Sequence, residues 1–165
     1  MTVPALVESG RPLPPSSGLL ALIAALSNGL EPGGTIKPAS AGELVVLEGR
    51  LAVLRLALVP GPQERTRVAC AFLLSNWQPT RCIPRDLAEA IVDRYALALA
   101  EHPAWAATAA CLRLVRGQVT GIHPDYVPSA ARVCLTATEE LLPYRAERDR
   151  LQRILEATQC EARRF

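Results

Sequence analysis

Residues Tyr95–Val133 read YALALAEHPAWAATAACLRLVRGQVTGIHPDYVPSAARV. Apolar residues recur here in steps of three and four, as one face of a helix requires. Pro103 stops one helix and starts another. Gly117 stands just past Arg113 and Arg116, where a helix stop follows cations that meet its negative end. Pro128-Ser129 then opens a further helix, with Ser129 as its N-cap. This punctuation predicts an all-α fold.

Composition points the same way. Half of the 165 residues are hydrophobic but only 4% are aromatic. The core must therefore be built from Leu, Ala, Val and Ile, which favour close-packed helices over a β-sandwich. A chain of this length buries roughly two-thirds of its unfolded surface and needs no staples.

Upstream, residues 1–17 hold Pro4, Pro12, Pro14 and Pro15 and read as a flexible, extended lead. Gly18–Asn28 is a short apolar helix with Leu19, Leu22, Ile23 and Leu26 on one face, closed by Gly29. Such a short helix must dock, and its own body is the expected support. Glu31–Ser40 is a turn-rich connector. Leu44, Leu47, Leu51, Leu54 and Leu58 then form a seam of about two heptads. A strand over Leu51–Val59 competes with this helix, and the helical spacing upstream outweighs it. Pro62 opens a helix to about Asn76, with Val68, Phe72 and Leu73 inward. Pro84 opens the next, with a stripe of Leu87, Ile91, Tyr95 and Leu99 broadened by Val92. After Pro103, Trp105, Ala109, Leu112 and Val115 face inward. Pro143 kinks or restarts the last helix, in which Leu151, Ile154 and Leu155 face inward. The organisation expected is a lead over 1–17 and a single domain over 18–165, a compact bundle of five to six helices. Within it, 18–59 holds apolar helices and 62–165 a bundle with a kinked C-terminal helix.

Charge shows no asymmetry along the chain and leaves room for a local patch only, so nucleic acid is a possible but not a favoured partner. Basic residues number 18 and acidic residues 16, a net charge of +2. No basic face stands out, which argues against non-specific DNA binding. The five cysteines show no C-x-x-C pairing, so thiols in a reducing cytosol are expected, with Cys70, Cys111 and Cys134 acting as small hydrophobes. No apolar run reaches the ~20 residues of a membrane span. The cytoplasm is the expected compartment.

Candidate chemistry is thin. His102 precedes Pro103 at a helix end, where it caps carbonyls. His123 lies near Asp125 and Tyr126, but no nucleophile accompanies the pair, and Tyr126 is expected to plug into the core. Asp86, Glu89 and Asp93 share a helix face, which reads as solvated rather than as a metal site. Neither catalytic, cofactor-binding nor metal-binding residues are expected, and the chain reads as a non-enzyme without cofactors. The final helix pairs Arg145 with Asp149 and Asp149 with Arg153. Its Arg145, Arg148, Arg150, Leu151, Arg153 and Leu155 are the candidate partner-binding residues.

Tyr95, Ala98, Leu99 and Pro103, then Arg116-Gly117, then Tyr126-Val127-Pro128-Ser129 form a series of phrases. With them, Asp86 to about Leu155 resembles small replication-associated proteins of bacteriophages and prophages, including the loader/inhibitor type that acts on the replicative helicase. The resemblance covers under half of the chain and departs at Arg132 and Val133, where an acidic residue is usual. It implies a non-enzymatic adaptor that binds a replicative helicase or an origin-binding protein, and it assigns no residue a role. Two other functions stay open. One is a DNA-binding regulator with a helix-turn-helix around Pro103. The other is a structural protein that self-associates through the Leu44–Leu58 seam.

Overall fold

The computed structural model describes residues 10–28, 39–77, 83–123 and 126–162. They form six helices and no strand: α1 Ser17–Ser27, α2 Ala41–Ala57, α3 Gln63–Ser75, α4 Arg85–Ala98, α5 Ala104–Val115 and α6 Ala130–Ala162. The strand alternative over Leu51–Val59 is thereby corrected. Gly29 and most of the Glu31–Ser40 connector lie outside the described residues.

Local signals set the helix ends. The Ser16 hydroxyl accepts from Leu19 N–H at 3.2 Å and caps α1. At the start of α2, Ser40 N–H donates to Glu43 Oε2 at 2.7 Å, and Ser40 Oγ accepts from Glu43 N–H at 3.4 Å. This is a reciprocal capping box. Helices α3, α4 and α5 follow directly on Pro62, Pro84 and Pro103. After α5, Gly117 adopts φ +68°. Its N–H bonds to Leu114 O at 3.1 Å, and Gln118 N–H bonds to Arg113 O at 2.9 Å. That pair of bonds is a Schellman stop, which needs a residue tolerant of left-handed backbone. Arg132 N–H donates to Ser129 Oγ at 3.2 Å, so Ser129 caps α6.

Helix α6 continues through Pro143 over 33 residues, about 50 Å of helix. Its two parts serve different cores. Contacts divide the described residues into two compact units, one of 10–11 and 58–142, the other of 12–57 and 143–162. The C-terminal part of α6 thus packs with the apolar helices of 12–57. The expected organisation is a single domain over 18–165; along α6 the boundary between the two compact units lies at Leu142–Pro143.

The core of the first unit is built on α5. Every residue from Ala104 to Cys111 is buried, as is Leu114. A one-sided stripe of Trp105, Ala109, Leu112 and Val115 was expected; Leu112 and Val115 are only half-buried. Alanine has too little side chain to mark one face, and neighbours approach α5 on several sides. Helix α3 offers it Ala69, Cys70 and Leu73, and Val133 and Ala137 of α6 join the same cluster. On α3, Val68 is 42% exposed, so the inward face turns toward Thr66, Ala69, Cys70 and Leu73 instead. Thr108 donates to Ala104 O at 2.7 Å, which satisfies its hydroxyl inside the apolar packing. Approach is closest at Gly61, where a Cβ would stand 2.6 Å from Ala104 Cβ.

The second unit's core joins Ile23 of α1, Leu47, Leu51 and Leu54 of α2, and Leu151, Ile154 and Leu155 of α6. Leu19, Leu22 and Leu26 pack against it, so α1 docks on its own chain as its spacing requires. Arg50 and Glu147 join α2 to α6 through two bonds, Nε–Oε1 at 2.7 Å and Nη2–Oε2 at 2.9 Å. Arg50 Nη1 also donates to Leu13 O at 2.8 Å. This ties down part of the lead expected to be flexible. Arg11 is held too, in the first unit, 3.6 Å from Glu140 and with its guanidinium carbon 5.9 Å from the Trp105 ring centroid.

Two stability outcomes follow. Ala110→Leu is expected to lower the unfolding free energy by about 1–3 kcal/mol, the range for overpacking a core. Leu97→Ala, at a 69% exposed position, serves as its near-neutral control in urea denaturation. With Arg50 and Glu147 only 10% and 15% exposed, Glu147→Ala is expected to cost about 3 kcal/mol by leaving a charge unpaired. Arg50→Met with Glu147→Leu is expected to recover most of that loss, and a double-mutant cycle measures the coupling.

Candidate functional site

Helices α3 and α4 have more aliphatic side chains than the alanine core can take up. The surplus lines an open groove of about 580 Å³ in the first unit. Val68, Ala71 and Leu74 form its α3 wall, and Ala88, Ile91 and Val92 its α4 wall. Glu64, Arg67, Arg85 and Glu89 stand around it. The rim is thus balanced in charge. Arg67 Nη2 lies 3.0 Å from Asp93 Oδ1, and Arg85 Nε lies 3.0 Å from Glu89 Oε1. These exposed pairs hold their side chains weakly, at up to about 1 kcal/mol each. Leu87, expected to lead the inward stripe of α4, is 52% exposed, and Leu99 alone of that stripe is fully buried.

The partner-binding residues read from the sequence divide between outside and inside. Arg145, Arg150 and Arg153 are exposed, and Arg148 is half-exposed. Leu151 and Leu155 are 0% and 7% exposed and belong to the second unit's core. A surface joining those arginines to those leucines is therefore not presented. The expected Arg145–Asp149 and Asp149–Arg153 ion pairs give way to Arg148 Nη2–Asp149 Oδ1 at 2.6 Å. Arg153 Nε instead reaches the Asp149 carbonyl at 3.4 Å.

The remaining polar candidates have structural partners. His102 Nε2 lies 3.0 Å from Thr138 Oγ1. Tyr126 is 72% exposed and does not enter the core. Its ring meets His123 edge-on at 5.3 Å. Asp125 lies outside the described residues. Arg113, placed at the end of α5 by its charge, also reaches Glu140 at 2.8 Å and Glu139 at 3.5 Å. Among the described residues, no group of three or more His, Cys, Asp or Glu side chains is placed to hold a metal. No helix among them is long and apolar enough to cross a membrane.

Two of the described thiols behave as packing, whereas Cys134 is half-buried and Cys160 is exposed. Cys70 and Cys111 are fully buried on facing helices. Their mutual hydrogen bond and burial push the Cys111 thiol well above the ordinary cysteine range, while that bond holds Cys70 below it. Burial raises Cys134 as well, and its Sγ donates to Ala98 O at 3.2 Å. A thiolate without solvent access meets no substrate. On α5, burial of Ala104–Cys111 leaves none of those side chains free to read base edges.

Two of the phrases behind the phage resemblance meet in space. Tyr95 Oη donates to Pro128 O at 2.6 Å, which ties the end of α4 to the entry of α6. No family model, curated protein or solved structure matches the chain.

Tyr95→Phe is expected to cost about 1 kcal/mol at neutral pH, the net worth of one such bond. Burial raises the Tyr95 phenol above its ordinary value. The folded state therefore keeps this proton longer than the unfolded chain does. Its stabilisation is complete below the unfolded tyrosine range, near pH ~10, and is lost as pH rises through the higher folded value. Urea midpoints measured from pH 7 to 11 should fall less steeply for Tyr95→Phe than for the unsubstituted protein.

Proposed function

We propose that this protein is a non-enzymatic adaptor that binds another protein through the α3–α4 groove. The observation that carries this reading is the groove's combination of aliphatic walls and a charge-balanced rim. Nucleic acid calls for a concentrated positive field, and Glu64 and Glu89 dilute any such field here. A small-molecule site of this volume normally adds a few convergent buried polar groups. The walls here present aliphatic carbon. An amphipathic helix suits them best, with aliphatic residues at i, i+3/i+4 and i+7 filling the floor and charges of both signs meeting the rim. The occupant proposed is such a helix on a protein partner.

The resemblance over Asp86 to about Leu155 supplies the first partner to test, a replicative helicase, with an origin-binding protein second. Part of that stretch forms the α4 wall of the groove. The exposed Arg145, Arg150 and Arg153, in the other unit, are a separate candidate surface.

Size-exclusion chromatography with light scattering, with and without the host's replicative helicase, tests this reading. A defined complex is expected. Ala71 is exposed and lines the groove, so Ala71→Arg should fill it and weaken the complex at least about tenfold, a loss of ~1.4 kcal/mol. Its thermal unfolding should stay within about 0.5 kcal/mol of the unsubstituted protein. Failure to co-elute at any salt concentration would sink the helicase as partner. Unchanged binding by Ala71→Arg would sink the groove.

A further inference from the structure

Leu47, Leu51 and Leu54, part of the self-association seam read from the sequence, fill the core of their own unit. The α3–α4 groove is open, and the charges around it are not equivalent. Arg67 Nη2 is held 3.0 Å from Asp93 Oδ1, and Arg85 Nε 3.0 Å from Glu89 Oε1. Glu64 lines the groove with these arginines, but it has no ion-pair partner among the described residues. Once Asp93 is counted with Arg67, the groove keeps one uncompensated charge, and it is negative.

The helices fix where that charge stands. The Arg67–Asp93 pair joins the start of α3 to the latter part of α4, so the two helices run antiparallel and Glu64 stands at one end of the groove. Ser75, Ile83 and Arg85 mark the other end. Between them α3 presents Val68, Ala71 and Leu74, at i+4, i+7 and i+10 from Glu64. At the rise of a helix these side chains cover about 6 to 15 Å from Glu64. An occupant helix lying along the groove has the same rise. Its apolar residues fill that length, and the residue one turn beyond them comes beside the Glu64 carboxylate. The other rim charges already meet one another, so a charge on the occupant gains little there.

We infer that the occupant carries a lysine or arginine one turn beyond one end of its apolar stripe, and that Glu64 selects it. This rests on the reading of the groove as a helix-binding site. Glu64 also lies in the first turn of α3, where a carboxylate suits the positive end of its own helix. That role acts on stability and is blind to the charge of a partner, so the two are separable.

Fluorescence anisotropy with three labelled peptides of about 18 residues, long enough to form helix, tests it. The peptides share one leucine stripe and carry Lys, Gln or Glu one turn past its C-terminal end. The Lys peptide is expected to bind about threefold tighter than the Gln peptide and about tenfold tighter than the Glu peptide, as an exposed pair differs from a like-charge contact. These differences should shrink in ~0.5 M salt. Glu64→Lys should reverse the order, and Glu64→Gln should level it. Equal affinity of the three peptides for the unsubstituted protein overturns the inference while the groove stands. An order that Glu64→Lys leaves unreversed overturns it as well. If no peptide binds, or if all bind Ala71→Arg undiminished, the groove reading itself falls and takes this inference with it.

Discussion

The first unit depends on close packing around an alanine-rich helix. Ala104–Cys111 of α5 is buried on all sides, so its neighbours must come close enough to touch alanine methyl groups. Dispersion falls off steeply with separation, and an alanine core is stable only when the gaps close. This requirement reaches into the surroundings. Gly61 is bare because Ala104 stands where its Cβ would be. Cysteines at 70 and 111 and threonines at 108 and 136 serve as small packing residues. The threonine hydroxyls turn back to carbonyls four residues earlier, at 2.7 and 3.0 Å, so none of this polar surface is left unsatisfied.

That economy of volume shapes the outside as well. A core of small residues has little room for every aliphatic side chain on α3 and α4. Val68, Leu87 and Ile91 are left partly in water, and three of their neighbours, Ala71, Ala88 and Val92, help to line a groove. In the second unit the same logic applies to α2. Its leucines meet α1 and α6, and its valines on the other side meet solvent. The groove proposed for binding is thus part of the aliphatic remainder that the two cores do not take up.

Proline and charge divide the labour along α6. Pro143 removes one backbone donor from the helix interior, and the helix nevertheless continues. The part before it is fastened to α5 through Arg113 and Glu140 at 2.8 Å. The part after it is fastened to α2 through Arg50 and Glu147 at 2.7 Å. Each is a nearly desolvated pair on at least one side, where register matters more than net energy. Cys70 and Cys111 are buried, and His102, Tyr95 and Arg113 are engaged in local bonds.

Helix number and helix ends were legible because their causes are local. Pro62, Pro84 and Pro103 act on the adjacent backbone, Gly117 on its own φ, and Ser129 on an N–H three residues away. The leucine seam of α2 was legible for the same reason, since every fourth or third residue shares a face. Which apolar residues would be core and which groove was not legible. Val68 and Leu73 have comparable hydropathy on one helix, and only the position of α5 distinguishes them. The all-round burial of α5 was hidden because alanine gives no periodic signal. Arg50 and Glu147 stand 97 residues apart, beyond any spacing rule, and they meet only because two separate leucine faces share one core. Short-range chemistry is written in adjacent residues, whereas long-range pairing depends on how volume is filled.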